Sequence, residues 1–162
     1  MARKPNTFQK LLHRFLMLRP VSAFLSVALH RVDMMMLKFT KGKHTVAELV
    51  GLPIIQVTTI GARTGEPRTM PLVSLIDGEK LALIGSNFGQ KNNPGWYYNL
   101  KAHPQCTVKV NGRSGKYTAR ETHGEEMEKY WQLAVSYYKG YELYKVLAAH
   151  RRIPVMVLEP VK

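Results

Sequence analysis

The stretch TMPLVSLIDGEKLALIG at residues 69–85 decides the fold class. Two runs rich in β-branched and aliphatic residues, Thr69 to Ile76 and Lys80 to Gly85, predict two strands. Asp77-Gly78 lies between them, and this dipeptide is typical of a two-residue hairpin turn because both of its residues tolerate a positive φ. The stretch therefore predicts an antiparallel β-hairpin.

The β-rich pattern extends over residues 51–162, which we predict to form one domain. A second hairpin is predicted around Asn111-Gly112 for the same reason as the first. Four further runs bring the number of predicted strands to six: Pro53 to Thr59, Gln105 to Val110, Gly115 to Glu121 and Ile153 to Leu158. Six such strands can close a small antiparallel barrel.

Two helical stretches interrupt the strands. Pro94 to Lys101 follows Asn93, which predicts an N-cap residue and a proline at the first helical position. Gly124 to His150 begins with acidic residues, which suit a helix N-terminus, and Gly140 divides it into two predicted helices. The fold class is therefore α+β, a six-stranded antiparallel split β-barrel with packed helices.

Residues 1–50 differ from this domain in composition, with nine Lys/Arg against two acidic residues. Phe8, Leu11, Leu12 and Phe15 recur at helical spacing, which predicts a basic amphipathic helix from Thr7 to Leu18. Such an arm either covers the core of its own domain or lies in an anionic membrane interface. The apolar run Pro20 to His30 is shorter than the roughly 20 residues of a spanning helix, so we expect a cytoplasmic protein, with the inner membrane face as its alternative place.

The composition excludes several classes of protein. There is one cysteine, Cys106, and the six histidines lack metal-ligand spacing, so neither a disulfide framework nor a metal site is expected. The 24 Lys/Arg and 11 Asp/Glu give a formal net charge of +13, which predicts an anionic partner. Nucleic acid, an anionic membrane and a polyanionic small molecule all remain possible on charge alone.

Two loops carry the candidate chemistry. The turn GARTGEPR at residues 61–68 joins two predicted strands and offers backbone N–H groups, a hydroxyl and two guanidinium groups to an anion. It lacks the Gly-Lys-Ser/Thr ending of a Walker P-loop, and a plain solvated hairpin is the alternative interpretation. Residues 85–99 lead from a strand end to a helix start, where a planar ligand could dock, although Trp96 could instead simply anchor the helix.

These segments resemble the deazaflavin-dependent nitroreductase family. The resemblance rests on TTIGARTGEPRTMPL at 58–72, GSNFG at 85–89 and NPGWYYNLKAHP at 93–104, and it extends from about Ile54 to Pro160. It implies the split β-barrel shared with flavin-mononucleotide oxidoreductases. It also implies coenzyme F420, a deazaflavin with a phosphate and a polyglutamate tail, whose negative charge accounts for part of the basic composition.

The resemblance further implies a coenzyme site. Its residues are Ala62, Arg63, Thr64 and Arg68 for the phosphate and tail; Thr69, Met70, Pro71 and Leu72 beside the ring; Ile84, Gly85, Ser86 and Asn87 at the ring edge; Gly95, Trp96 and Asn99 closing the pocket; and Tyr141. Some family members have a basic residue in place of Ala62, a lysine in place of Asn87 and an asparagine in place of Met70.

By the same resemblance, the reaction is hydride transfer from the reduced deazaflavin to a quinone, a conjugated enone or a nitroaromatic compound. Tyr138, Tyr141 and Tyr144 match the substrate-lining positions. Tyr138, Tyr141 or Ser86 would orient the acceptor and supply a proton or a hydrogen bond. An ordinary packed helix face explains the three tyrosines equally well.

Two alternatives belong to other classes. A flavin-mononucleotide (FMN) oxidoreductase would use the same scaffold and the same phosphate chemistry. A basic domain that binds nucleic acid or a membrane without catalysis would explain the charge, but no aromatic and basic interleaving on a recognition sheet and no helix-turn-helix pattern supports nucleic acid. We expect no nucleic-acid partner, and either a monomer or a homodimer.

Overall fold

The computed structural model describes residues 52–110 and 112–161. These residues form seven strands, three α-helices and one short turn of helix at Asn87–Gly89. The strands are β1 (Ile54–Ile60), β2 (Pro67–Val73), β3 (Leu75–Asp77), β4 (Lys80–Ile84), β5 (Gln105–Val110), β6 (Arg113–Glu121) and β7 (Val155–Pro160). The helices are α1 (Gly95–Ala102), α2 (Gly124–Tyr137) and α3 (Gly140–Leu147). The predicted arm of residues 1–50, with its helix from Thr7 to Leu18, lies outside the described residues.

The strands form one antiparallel sheet in the order β2-β1-β5-β6-β7-β4-β3. The sheet curls into a half-barrel, so the α+β class and the antiparallel barrel-like architecture are confirmed. Both predicted hairpins are present. The first turns at Gly78-Glu79, one residue later than the predicted Asp77-Gly78, because Asp77 is the last residue of β3 and pairs with Lys80. In the second, Val110 pairs with Arg113. Helix α1 packs on β1 and β6, and α2 packs on β3, β4 and β7.

The predicted number of six strands is wrong, because the run from Thr69 to Ile76 forms two strands. The break is at Ser74, which is fully buried and whose backbone N–H donates to the carbonyl of Pro53 at 2.9 Å. On one side of the break β2 pairs with β1, and on the other side β3 pairs with β4. An unbroken apolar run conceals this corner, since the change of partner strand depends on tertiary contacts.

Strands β4 and β7 are buried on both faces and separate two apolar cores. In β7, Val155 and Val157 face the core beneath α2 and α3, whereas Met156 and Leu158 face the barrel interior beneath α1. All four side chains are at most 2% exposed. Side chains of β4 alternate between the two cores in the same way, so this strand ends between them. Residues 85–93 follow directly after that end.

The helix boundaries agree with the sequence except at two ends. Helix α1 has Pro94 at its N-cap instead of the predicted Asn93, because the Asn93 side-chain oxygen accepts a hydrogen bond from Arg151. The predicted division at Gly140 is confirmed, since α3 begins at that residue. Helix α3 ends at Leu147, three residues before the predicted His150.

Candidate functional site

The turn at residues 61–66 is held by its own backbone. The Gly61 N–H donates to the Glu66 carbonyl and the Gly65 N–H to the Gly61 carbonyl, each at 2.8 Å. A Cβ on Gly61 would lie 2.7 Å from Thr64 Oγ1 and 3.2 Å from the Glu66 carbonyl oxygen, so any larger residue there would displace the Thr64 hydroxyl. This backbone frame presents the residues from 62 to 69 to solvent.

Arg63 and Arg68 are exposed on this turn. Within the described residues, neither guanidinium forms an ion pair, whereas Arg120 and Arg152 are each paired with a carboxylate. Two unpaired arginines beside an open glycine turn can bind phosphate or carboxylate oxygens in a forked geometry. The turn therefore has the chemistry of an anion site.

Asn99 of α1 joins the turn to the barrel. Its side-chain oxygen accepts from the Ala62 N–H at 3.0 Å, and its side-chain nitrogen donates to the buried hydroxyl of Thr59 at 3.0 Å. Asn99 was predicted to contact the coenzyme, and in the structure its amide fixes the position of the turn. The Ala62 N–H is likewise engaged within the protein.

Strand β2 and the start of α1 flank the turn. Met70 and Leu72 are half-buried against the barrel core that contains Trp96, and Trp96 is only 6% exposed. The Thr69 hydroxyl is 2.8 Å from the Thr58 hydroxyl on the neighbouring strand β1. A Cβ on Gly95 would meet nothing within 4 Å, so the first residue of α1 borders open space.

Residues 85–93, the strand-end loop, follow β4. Asn87, Phe88 and Gly89 all have a positive φ, at 46°, 53° and 75°, and this is a conformation that residues with a Cβ rarely adopt. The Asn87 side-chain nitrogen donates to the Asn92 carbonyl at 2.8 Å, within the loop. Ser86 is 9% exposed, and its hydroxyl has no hydrogen-bond partner among the described residues.

Arg151, just after α3, binds the strand-end loop through its guanidinium. It donates to the carbonyls of Ser86 at 2.7 Å, Gln90 at 2.9 Å and Gly85 at 3.3 Å, and also to the Asn93 side chain. Burial lowers its pKa. Sequence reasoning missed this residue because an arginine next to another arginine, more than fifty positions from the loop, carries no local signal.

Tyr138, Tyr141 and Tyr144 form a triad where α2 meets α3. Their ring centroids are 6.0–6.2 Å apart, and each residue is at most 7% exposed. Burial raises the pKa of all three hydroxyls, so they stay protonated at neutral pH. A Cβ on Gly140 would lie 2.1 Å from the Tyr138 ring, so the triad needs this glycine.

The triad contacts the strand-end loop and one further aromatic residue. The rings of Phe88 and Tyr144 meet edge to face at 5.7 Å. The Trp131 ring lies 6.2 Å from that of Tyr141, and its buried Nε1 has no hydrogen-bond partner among the described residues. A buried indole N–H is ordinarily bonded, so Trp131 is a second feature that the sequence did not reveal.

Other chemistries find little support in the described residues. No group of three or more His, Cys, Asp or Glu side chains is placed to hold a metal ion there. Cys106 is buried, as expected, and burial raises the pKa of its thiol to about 11. None of the helices in residues 52–110 and 112–161 has the length and apolarity to cross a membrane.

The structure thus brings the predicted residues into two groups. The first group lies on the turn, on β2 and on α1, and it consists of Ala62, Arg63, Thr64, Arg68, Thr69, Met70, Pro71, Leu72, Gly95, Trp96 and Asn99. The second group lies at the end of β4 and where α2 meets α3, and it consists of Ile84, Gly85, Ser86, Asn87, Tyr138, Tyr141 and Tyr144. This donor set fits coenzyme F420, because it combines two guanidinium groups that have no ion pair within the described residues, the Ser86 hydroxyl and open space at the start of α1.

Comparison with known proteins identifies similar reductases. A family model described as F420H(2)-dependent quinone reductase matches residues 29–160. The F420H(2)-dependent quinone reductase Rv1261c of Mycobacterium tuberculosis is 32% identical over 112 residues, which are 65% of this chain and 72% of that protein. A solved F420-H2 dependent reductase, FDR-A, is 39% identical with a TM-score of 0.61, covering 66% of this chain and 94% of its own. A chain solved as a domain-swapped dimer is 35% identical with a TM-score of 0.63, covering 78% and 91%.

Proposed function

The chain belongs to the F420H(2)-dependent quinone reductase family, and on that premise we propose where it holds the coenzyme and how it handles the acceptor. As a member of this family it is an oxidoreductase that uses reduced coenzyme F420. The resemblance noted in the sequence is confirmed at this level. The choice among quinone, enone and nitroaromatic acceptors and the roles of individual residues are proposals.

The coenzyme phosphate and tail carboxylates bind at the turn of residues 61–68. The observation that carries this placement is the pair of exposed guanidinium groups, Arg63 and Arg68, without carboxylate partners among the described residues. Thr64 adds a hydroxyl beside them. The hydrogen bond between Asn99 and Ala62 fixes the turn against α1. The turn therefore loses less conformational entropy when the coenzyme binds.

The deazaflavin ring lies along Thr69, Met70, Pro71 and Leu72 of β2 and meets the strand-end loop at its edge. Two observations support this position: the half-buried apolar side chains of β2, and the Ser86 hydroxyl, which forms no hydrogen bond within residues 52–110 and 112–161. Ile84, Gly85 and Asn87 shape the loop around that hydroxyl. Gly95 and Trp96 close the pocket from α1, where the absence of a Cβ leaves room for the ring.

When bound, reduced F420 supplies a hydride from C5 of its ring. The protein's part is to bind the acceptor in line, exclude water and donate hydrogen bonds to the oxygen on which negative charge develops. Tyr138, Tyr141 and Tyr144 are buried and stay protonated, which suits hydrogen-bond donors. A raised pKa makes a phenol a weaker acid, so we assign these tyrosines to orientation of the acceptor, with solvent as the source of the proton.

A side-by-side titration with F420 and FMN tests the proposal. Cofactor fluorescence gives each affinity, and oxidation of reduced F420 is then followed with menadione and with a cyclic enone. We expect F420 to bind more tightly and to be oxidised only when an acceptor is present. Tighter binding of FMN, or no binding of either cofactor, contradicts the proposal.

Location and assembly have separate tests. We propose a cytoplasmic enzyme whose basic residues 1–50 contact an anionic membrane surface, where lipid-soluble acceptors reside. Flotation with anionic liposomes should carry the full chain upward but leave behind a shortened protein that begins near Thr40; equal recovery would assign the segment to its own domain.

The domain-swapped dimer among similar structures supports a homodimer, and the mass from light scattering tests it.

A further inference from the structure

The strand-end loop adopts a conformation that its own sequence does not favour. Three consecutive residues have a positive φ, and two of them, Asn87 and Phe88, carry a Cβ. Asparagine tolerates this region through its short polar side chain, but for a residue as bulky as phenylalanine it is a genuine outlier. Such a turn persists only where the surroundings hold it, and strained backbone of this kind clusters at ligand sites.

The contacts that hold the loop come mainly from the C-terminal end of α3 and the residues after it. The Gly89 Cα lies so close to α3 that an added Cβ would be 2.4 Å from the Leu147 Cβ. His150 Nε2 is 3.1 Å from the Lys91 carbonyl oxygen. Through these contacts the loop packs against α3, the helix that carries two tyrosines of the triad.

Arg151 makes the largest share of the polar contacts. Its guanidinium joins both ends of the loop, because it bonds Gly85 and Ser86 at the start and Gln90 and Asn93 towards the end. Three of these four acceptors are main-chain carbonyls, so the bonds fix backbone conformation directly. A planar fork with five donors can satisfy this set, whereas a lysine ammonium has three donors around a single nitrogen.

We propose that Arg151 is a positioning residue for the coenzyme: it holds the strand-end loop in its left-handed turn and thereby keeps the Ser86 hydroxyl at the coenzyme ring. The inference rests on the ring position given under the proposed function. Arg151 itself acts through the loop and not by touching the reacting atoms. Its guanidinium is engaged by carbonyl oxygens and by Asn93, which leaves charge pairing with the coenzyme to the arginines of the turn.

The neighbouring arginine supplies a matched control. Arg152 bonds Glu121 at 2.6 Å and His123 at 3.2 Å, and within the described residues its side chain forms no hydrogen bond to the loop. Arg151→Gln and Arg152→Gln therefore remove the same positive charge from adjacent positions. Arg151→Lys keeps the positive charge and removes only the planar guanidinium, so it separates the effect of hydrogen-bond geometry from that of charge. As the milder substitution, it also provides a test if Arg151→Gln fails to fold.

The experiment measures three quantities in the full chain: the F420 dissociation constant without acceptor, hydrogen exchange of the amides of residues 86–92, and the KM values for F420 and menadione. In Arg151→Lys and Arg151→Gln we expect F420 binding to weaken roughly tenfold or more, since several charge-assisted bonds are lost. The loop amides should exchange faster, and the KM for F420 should rise more than that for menadione. Arg152→Gln should change F420 affinity less than about twofold, because the hydrogen bonds of Arg152 go to Glu121 and His123 and not to the loop.

The outcomes separate this inference from the proposed function. If the unaltered protein fails to bind F420, the proposed function is overturned and the inference with it. If the protein binds F420 and both Arg151 variants bind it equally well, only the inference is overturned. An equal loss of affinity in Arg152→Gln would also overturn it, because charge alone would then explain the effect.

Discussion

The turn at residues 61–68 and the strand-end loop at residues 85–93 serve the same proposed ligand but are built differently. Backbone bonds between residues five or fewer positions apart close the turn, Asn99 ties it to α1, and its arginines face solvent. The loop is strained, and it is held by Arg151 and by the packing of Leu147 against Gly89. Binding of the charged coenzyme tail therefore depends on a few neighbouring residues of the turn. Positioning of the coenzyme ring depends instead on contacts between the loop and residues distant in sequence. Substitutions of the turn's arginines should alter only the affinity for F420. Substitutions in the loop should alter both the affinity for F420 and the free energy of unfolding.

The largest effect is expected from Gly89→Ala. The new Cβ would overlap Leu147 and would also sit at a φ of 75°, so the free energy of unfolding should fall by roughly 3 kcal/mol. Gly78→Ala is the control, because its φ is also positive but a Cβ there would meet nothing within 4 Å. Urea unfolding of both variants gives the comparison. Equal losses would mean that the loop is not held by α3.

The double change Arg63→Gln with Arg68→Gln should weaken F420 binding on the order of a hundredfold, because two charged hydrogen-bond donors are lost. The thermal midpoint should stay unchanged, since neither guanidinium forms an ion pair within the described residues. The salt dependence of the affinity should flatten at the same time. Arg113→Gln with Lys116→Gln removes two charges from exposed positions of β6 and should leave the affinity nearly intact. A matching loss there would indicate general attraction by net charge.

Gly140→Ala tests the tyrosine triad without removing any of its hydroxyls. Because the Tyr138 ring occupies the space of the new Cβ, it must move, and kcat/KM for menadione should fall roughly ten- to hundredfold. Gly124→Ala, at the start of α2, has open space around its Cβ and controls for a general loss of stability. Steady-state kinetics at saturating F420 measure the effect. Unchanged kinetics in Gly140→Ala would remove the triad from the acceptor site.

Single changes of Tyr138 or Tyr141 to Phe should cost less, about three- to tenfold in kcat/KM, the value of one neutral hydrogen bond. Because burial raises the pKa of both hydroxyls above the ordinary 10.0, ionisation of these groups should cause no loss of activity below pH 10. Turnover from pH 6 to 10 with menadione, an enone and a nitroaromatic compound tests both statements. Identical turnover of each variant and the parent on every acceptor would assign the tyrosines to packing.

The smallest effect concerns Asp77 at the end of β3, where hydrogen bonds from Lys129 and Tyr130 lower the pKa of its carboxyl. A lowered folded-state pKa means that Asp77 stabilises the fold above its unfolded pKa near 3.8 and that this contribution is lost as pH falls through the folded value. Asp77→Asn keeps the hairpin turn and should cost under about 1 kcal/mol at pH 7, since the group is partly exposed. Urea unfolding at pH 7 and pH 3 should show a smaller difference at the lower pH.

Sequence reasoning located most of the fold because its signals are local. The Asp77-Gly78 turn, the alternating runs of β5 and β6 and the division at Gly140 depend on residues within one turn or strand. It failed at Ser74, where a continuous apolar run changes its partner strand. It also failed at Asn93, whose side chain binds Arg151 instead of capping α1. Both errors occur where a distant residue supplies the deciding contact.

By itself, the sequence determined the β-rich domain, the turn at residues 61–68 and the family, because turn preferences, strand periodicity and the motifs at 58–72, 85–89 and 93–104 are properties of contiguous residues. Only the tertiary structure decided the site's second half. Contacts across the fold produce the Arg151 bonds to the strand-end loop and the left-handed turn at Asn87 and Phe88. They also bury the Trp131 Nε1, which has no hydrogen-bond partner among the described residues. The physical reason is that strained backbone and buried polar groups depend on the neighbours that packing supplies, and no short window of sequence contains those neighbours.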